Sequence, residues 1–179
     1  RDGRALLCVA DVADQNAVRQ MVAEVDAQWG RLDVLVNNAA VRRETKLDDI
    51  SAADWHRTLA IILDGAFLCT QAALRLLRKS ERPTIVNIGG MTGHTGAANR
   101  LHVVTAKAGL AGMTRALAHE LAPDGITVNC VAPGMIDTVR HAASSAANPD
   151  HRRRHHTLLA RHGTAGEVAQ TVAWLAGDG

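Results

Sequence analysis

The sequence predicts a three-layer α/β fold in which a doubly wound parallel β-sheet is covered by helices on both faces. Short apolar runs alternate along the chain with longer stretches of helical periodicity, a pattern typical of parallel strands joined by helical crossovers. The chain has 179 residues, of which 47% are hydrophobic, and this is enough to bury one sizeable core. Residues 1–179 are therefore predicted to form a single domain.

The first third of the chain contains two predicted strands and one helix. Residues 5–10 are a short apolar run closed by Asp11, which predicts a buried strand. A helix is predicted over residues 14–29 because its apolar positions recur every three or four residues, and Gly30 ends it. Residues 32–36 are the second predicted strand.

The remaining elements continue the alternation. Ser51 and Asp54 resemble a capping box that opens a long helix to residue 77, with a break near Asp64 and Gly65. A strand is predicted over residues 84–88, a long helix over 97–121 and a strand over 126–131. Thr164 and Glu167 form a second capping box, which opens a final helix to about residue 176.

The composition excludes several classes of function. Twenty Lys and Arg residues against 18 Asp and Glu leave a formal charge of +2, which gives no global electrostatic case for nucleic-acid binding. No run of uncharged apolar residues is long enough to cross a bilayer, so no membrane partner is expected. The chain has no tyrosine, which excludes a phenolic acid or base. Three widely spaced cysteines predict reduced thiols and favour a cytoplasmic location.

Residues that follow the predicted strands are the candidates for ligand binding. In open parallel sheets, ligands bind beyond the carboxyl ends of the strands. The sequence therefore predicts one rim, formed by Asp11, Asn37, Asn38, Gly89, Gly90, Pro133 and Gly134.

At these strand ends the sequence resembles the short-chain dehydrogenase/reductase family, with a Rossmann-like fold. The matching pieces occur in the family's order: Asp11-Val12, Asn37-Asn38-Ala39-Ala40, Ala106-Lys107-Ala108 and the segment from Pro133 to Thr138. The resemblance implies NAD- or NADP-dependent oxidoreduction of a small carbonyl or alcohol substrate, similar to the 3-oxoacyl-carrier-protein reductase branch. The cofactor-binding positions that it implies are Asp11, Val12, Asn38, Ala39, Ala40, Lys107, Pro133, Gly134, Ile136 and Thr138.

Two pieces of the family pattern have no counterpart in this sequence. The chain begins at what corresponds to the third strand, so the glycine-rich turn that binds the pyrophosphate is missing. The glycine-rich segment 89–96 follows a later strand and lacks the required spacing, so it is not a substitute. The chain also ends before the family's closing strand. We therefore expect a fold truncated at both ends, with impaired NAD or NADP binding.

The family's catalytic tetrad of Asn, Ser, Tyr and Lys is reduced to its lysine. Lys107 sets the register, and the tyrosine position four residues earlier holds Val103. The serine and asparagine positions hold Gly90 and Ile62. Ordinary activity is therefore expected to be weak or absent. The alternatives are a non-catalytic binding or scaffolding subunit, or a truncated gene remnant.

Further candidates surround this site. His102 adjoins Val103 and titrates near neutral pH, so it is a candidate substitute for the proton donor, although it lies one residue out of register. His94 and Arg100 flank the same loop and are interpreted as ordinary solvent-facing side chains. By resemblance, helices near residues 61–78 and 100–121 form a homo-oligomer.

The region that would cover the substrate carries a cluster of basic residues. Residues 138–162 resemble the family's substrate lid and contain the basic run 151–156. A solvated helical surface is favoured over an anion-binding role for this run. His151 and His155 have helical spacing but no third ligand, so no metal site is expected.

Overall fold

The computed structural model describes residues 3–138 and 157–177. Its main sheet has three parallel strands in the order β1 (Val34–Asn37), β2 (Thr84–Ile88) and β3 (Thr127–Val131). A separate two-stranded parallel ribbon joins β4 (Ile136–Asp137) to β5 (Gly163–Thr164). The parallel sheet with flanking helices confirms the predicted fold class. The basic run 151–156 and most of the predicted lid lie outside the described residues.

Six α-helices flank these strands in the described part of the chain. They are α1 (Gln15–Trp29), α2 (Ala52–Leu59), α3 (Gly65–Leu77), α4 (Thr92–Thr95), α5 (Leu101–Leu121) and α6 (Ala165–Ala176). Helix α3 contacts β1 and β2, whereas α5 and α6 both contact β2 and β3. The first four residues of β2 are all buried, and because successive strand residues point to opposite faces, β2 is covered on both sides.

Two apolar clusters hold the helices in place, one against the sheet and one between helices. The first lies where α3, α5 and the strands meet, and it consists of Ala73, Leu77, Ile85, Leu121, Ile126 and Val128. The second joins the segment around residue 62 to the first half of α5, and it consists of Ile62, Ala66, Val103, Ala106 and Leu110. The second cluster includes the positions that correspond to the family's asparagine and tyrosine.

The stop at Gly30 and the capping box at Thr164 form as the sequence predicts, whereas Asp14 caps the first helix instead of beginning it. Asp14 accepts hydrogen bonds from the amides of Asn16 and Ala17 at the start of α1, and Gly30 ends that helix with a φ of 70°. Thr164 and Glu167 form a complete capping box at α6. Hydrogen bonds from Arg161 and Thr164 lower the pKa of Glu167 to about 2, so this cap keeps its charge well into acid.

The prediction of a strand at residues 5–10 is wrong. This segment has no regular secondary structure, and the side chains of Leu7 and Val9 are 87% and 93% exposed. A β-strand needs a neighbouring strand to pair its backbone amides and carbonyls. In the strand order of doubly wound sheets, two other strands lie between a strand at residues 5–10 and the strand β1 that follows it in sequence. The described residues contain neither of those two strands.

Two helix boundaries also differ from the prediction. Helix α5 begins at Leu101 rather than at residue 97, because Asn99 has a φ of 59° and Arg100 has a non-helical backbone. Near Asp64 the chain does not break but widens into a π-helical turn, Ala60–Asp64, between α2 and α3. The predicted interruption is thus a change of helical pitch centred on Ile62.

One continuous helical stretch is long and apolar enough to span a membrane by length and composition. It covers Ala52–Leu77, and 39% of its most apolar window is buried inside the protein. Soluble proteins contain core helices that meet the same criteria. Here the buried side of α3 packs against the sheet and α1, which is the environment of a core helix.

Candidate active site

The structure brings three of the four predicted strand ends to one edge of the sheet. Asn37 pairs with Asn87, and Ile88 pairs with Val131, so β1, β2 and β3 end side by side. Asn38, Gly89-Gly90 and Pro133-Gly134 follow these ends directly. The fourth predicted position, Asp11, lies next to Val12 in the loop before α1.

Lys107 points its amine at this edge from helix α5. Its Nζ atom donates a hydrogen bond to the carbonyl oxygen of Ile88, the last residue of β2. Burial of the side chain lowers the pKa of Lys107, and the nearby Cys130 thiol opposes that shift. Gly93 approaches α5 closely at this point, because a Cβ on Gly93 would lie 3.0 Å from Lys107 Cβ.

The position four residues before Lys107 is occupied by hydrocarbon. Val103 is 7% exposed and packs in the same apolar cluster as Ile62, which is 1% exposed in the π-helical turn. Gly90 is different, because no atom lies within 4 Å of the point where a Cβ would stand. The tyrosine and asparagine positions are therefore filled, while the serine position has open space.

Most backbone amides of the glycine-rich segment 89–96 already donate hydrogen bonds, four of them within the segment. Gly93 donates to the carbonyl of Gly90, His94 and Thr95 donate to that of Met91, and Gly96 donates to that of Thr92. The segment thus forms the short helix α4, anchored by a bond from the Met91 amide to the Pro133 carbonyl. Amides that are already paired cannot bind phosphate, which supports the prediction that this segment is no substitute for the missing turn.

Residues predicted to contact the adenosine border an apolar cavity of about 310 Å³. The cavity lies between α1, β1 and α3, and its lining includes Val12, Val36, Asn38, Ala39 and Gly65. The Asp11 carboxylate accepts a hydrogen bond from the Ala13 amide, so it also shapes the turn into α1. On the opposite side of the rim, Ile136 lies in β4, and Thr138 follows it.

These residues fit only part of a dinucleotide. The Lys107 amine, the cavity beside Asn38 and the segment from Pro133 to Thr138 provide polar groups and space for a nucleoside and a nicotinamide ring. Among the described residues, however, no strand is followed by a glycine-rich turn whose open amides could bind a pyrophosphate.

A buried polar network beneath the rim was missed by the sequence analysis. The Asn37 side-chain amide donates to Thr70 Oγ1 and, at 2.8 Å, to Asn87 Oδ1. The Asn87 amide donates in turn to Thr114 Oγ1 at 2.9 Å, and Thr114 donates to the carbonyl of Leu110. The network links α3, β1, β2 and α5. Its signal in the sequence is an asparagine inside an otherwise apolar strand.

The candidate substitute His102 is completely buried. Its exposure is 0%, and neither ring nitrogen has a hydrogen-bond partner among the described residues. Burial lowers the pKa of His102, while the charges of Asp54 and Arg43 act in opposite directions. Because Arg43 and Asp54 form an ion pair with each other, their effects on the imidazole largely cancel. The ring is therefore held neutral in a low-dielectric site.

His102→Leu is expected to stabilise the protein by about 1–2 kcal/mol at neutral pH, because it removes unsatisfied polar atoms while keeping the side-chain volume. Because burial lowers the folded-state pKa of His102, protein stability is highest above the unfolded pKa of about 6.5, where the imidazole is neutral in both states. Stability is then lost as the pH falls through the folded pKa. Urea unfolding at several pH values should show a smaller acid loss for the variant. His119→Gln, at an exposed histidine of the same helix, is the control, and an equal acid loss in His102→Leu would contradict the assignment.

Of the remaining polar candidates, Arg100 has a structural partner, His94 is exposed, and His151 and His155 lie outside the described residues. Arg100 is buried and forms an ion pair with Glu44, so it is not the solvent-facing side chain that the sequence suggested. This pair ties the loop before α5 to the segment after β1, where the Thr45 amide also donates to the Asn99 carbonyl. In the described ranges no three His, Cys, Asp or Glu side chains form a metal-binding group, and His151 and His155 lie outside them.

Comparison with known proteins points to one enzyme family. A family model described as enoyl-(acyl carrier protein) reductase matches residues 1–179. A hydroxy(phenyl)methylsuccinyl-CoA dehydrogenase subunit from Thauera aromatica is 46% identical over 138 residues, covering 77% of this chain. The 3-oxoacyl-acyl-carrier-protein reductases of Synechocystis and Aquifex aeolicus are 38% and 40% identical, over 98% and 94% of the chain. The chain spans 55% of the length of the Thauera relative, and 70% and 67% of the two reductases.

Proposed function

The chain belongs to the short-chain dehydrogenase/reductase family, and from that premise we propose that it carries the nicotinamide side of the family's site but reduces carbonyl compounds weakly or not at all. The observation that carries this proposal is the hydrocarbon at the proton-donor position. Val103 lies in an apolar cluster with Ile62, and Lys107 is the one tetrad residue that remains. The substrate is a small carbonyl or alcohol compound, and the location is the cytoplasm.

The chemistry explains why these positions matter. Hydride transfer to a carbonyl carbon places negative charge on the oxygen, which must be protonated or stabilised by donors. Valine and isoleucine side chains have no donor, and Gly90 has no side chain. Loss of a positioned general acid costs about 10²–10⁴ in rate, and loss of an oxyanion donor costs about 10²–10³. Both losses apply to this site.

The cofactor would be NAD or NADP, which supplies the hydride when it is bound. Lys107 would hold the ribose through its amine, and the segment from Pro133 to Thr138 would line the nicotinamide side. Val12, Asn38 and Ala39 would border the adenosine at the apolar cavity. These residues would orient and enclose the ligand, whereas the described part of the chain has no turn with open amides to bind the phosphates.

A second candidate is a non-catalytic subunit that binds a ligand or supports a partner chain. The Thauera relative is named as a subunit of a dehydrogenase, which is compatible with assembly of this chain with a partner. Phe67 on α3 and Leu101 on α5 are 47% and 45% exposed, which supports the prediction of a homo-oligomer through residues 61–78 and 100–121. Assembly of this kind requires neither tyrosine nor a complete cofactor site.

The proposal is tested by titrating the full chain with NADH and NADPH and following nucleotide fluorescence. We expect no saturable binding below about 1 mM, because the pyrophosphate contacts supply much of the affinity and the described residues offer no glycine-rich turn with open amides for them. Lys107→Met is the matched variant, and any residual binding that it abolishes belongs to this site. Micromolar binding, or rapid reduction of a 3-oxoacyl thioester by the unmodified chain, would contradict the proposal.

A further inference from the structure

Strand β1 has one edge without a partner among the described residues. It pairs with β2 alone, in parallel register. The Asp33 carbonyl accepts a hydrogen bond from the Thr84 amide, so it points towards β2. Carbonyl directions alternate along a strand, and those of Val34 and Val36 therefore point the opposite way, where the described residues provide no donor. An edge of this kind can bind a further strand.

The edge carries none of the features that usually prevent such pairing. Residues 34–37 include no proline and no charged side chain, and Val36 is 41% exposed. The apolar cavity of about 310 Å³ lies beside this strand, with Leu35 and Val36 in its lining. Neighbours in a strand point to opposite faces, so the cavity extends to the edge of β1. A strand added here would pair its backbone with β1 and place the side chains of one face in the cavity.

The chain itself carries an apolar segment that lacks such a partner. Residues 5–10 contain no charge, glycine or proline, and their backbone makes no hydrogen bond to the other described residues. Leu7 and Val9 are 87% and 93% exposed. In an extended segment these two side chains share one face, since residues two apart point the same way. The segment therefore has the composition of a strand, backbone groups open to pairing and one exposed apolar face.

We propose that residues 5–10 of a second copy of this chain add as a strand to the outer edge of β1, with Leu7 and Val9 in the apolar cavity. The chain's own segment makes no hydrogen bond to β1, and the strand order of doubly wound sheets does not place it there. Each copy offers one edge and one segment. Two copies can therefore exchange segments around a two-fold axis, which leaves neither part exposed.

This contact is separate from the other proposals for the chain. It does not use the outer faces of α3 and α5, where the resemblance to the family places a homo-oligomer. It also does not depend on the proposed function, because strand pairing needs neither a cofactor nor a catalytic residue. Failure of the dinucleotide titration and failure of strand exchange are therefore distinct results.

The first test is self-association of the full chain, measured by sedimentation velocity through the micromolar range. We expect dimers, and we expect Leu7→Lys combined with Val9→Lys to raise their dissociation constant at least about tenfold, because charges entering an apolar cavity lose their hydration without gaining a counter-charge. Both side chains are exposed in the single chain, so the substitutions leave its fold intact, which circular dichroism checks. Leu158→Lys, at another exposed leucine, is the matched control and should leave the dissociation constant unchanged.

Hydrogen exchange then locates the contact. As dimers form, the amides of residues 5–10 and those of Val34 and Val36 should become protected, and the double-lysine variant should lose this protection. A chain that stays monomeric, dimers that persist unchanged in the double-lysine variant, or an equal effect of Leu158→Lys would overturn the proposal. Protection of residues 5–10 that does not depend on concentration would indicate pairing within one chain, and protection confined to α3 and α5 would indicate the other interface. Either result would also overturn it.

Discussion

Restoring the tetrad with Val103→Tyr, Gly90→Ser and Ile62→Asn should raise the rate of carbonyl reduction by about 10²–10⁴-fold when NADPH is bound to the chain. Lys107 is already in place four residues after the tyrosine position, and Gly90 has open space for a serine hydroxyl. The restored phenol would protonate the oxygen on which negative charge develops. The measurement is the rate of NADPH oxidation with a 3-oxoacyl thioester.

The restored side chains must enter a packed site, so stability has to be measured beside activity. Val103 is 7% exposed, and a tyrosine there should cost about 1–3 kcal/mol by overpacking. Ile62→Asn adds a buried amide of similar cost unless it finds a partner. The matched control carries Val103→Phe with the same two partners, because it fills the same space without a hydroxyl. A phenylalanine variant as active as the tyrosine variant would contradict the proton-donor argument.

Asn87→Leu should lower the free energy of unfolding by about 2–4 kcal/mol. Asn87 is 0% exposed and connects Asn37 to Thr114 by hydrogen bonds of 2.8 and 2.9 Å. Leucine has a similar volume but leaves the Asn37 amide with its one weaker bond to Thr70 and removes the donor to Thr114. Urea unfolding followed by circular dichroism measures the loss.

A double-mutant cycle separates the network from simple packing. Asn37→Leu combined with Asn87→Leu should cost about 1 kcal/mol less than the sum of the single variants, since no unpaired partner then remains between them. The hydroxyl pair of Thr84 and Thr127, on the neighbouring pairing of β2 with β3, provides a control through Thr127→Val. Additive losses for Asn37 and Asn87 would show that the two amides do not act as a unit.

The sequence determined those features whose physical cause is local. The caps at Ser51 and Thr164 depend on side chains that satisfy backbone groups a few residues away, and the stop at Gly30 depends on its own positive φ, so the sequence predicts all three. The strands at residues 34–37, 84–88 and 127–131 are continuous apolar runs with clear ends, so their positions were predicted within two residues. The order of these elements also identified the fold class and the edge at which Lys107 lies.

Tertiary structure alone decided the features that depend on distant partners. Residues 5–10 have the composition of a strand but find no neighbour to pair with among the described residues. The amides of Asn37 and Asn87 meet across 50 positions of sequence. The burial of His102 and the neutral partner of Lys107 likewise follow from which helices and strands pack around them. Hydrogen bonding and desolvation act through space, so a pattern along the chain cannot reveal either one.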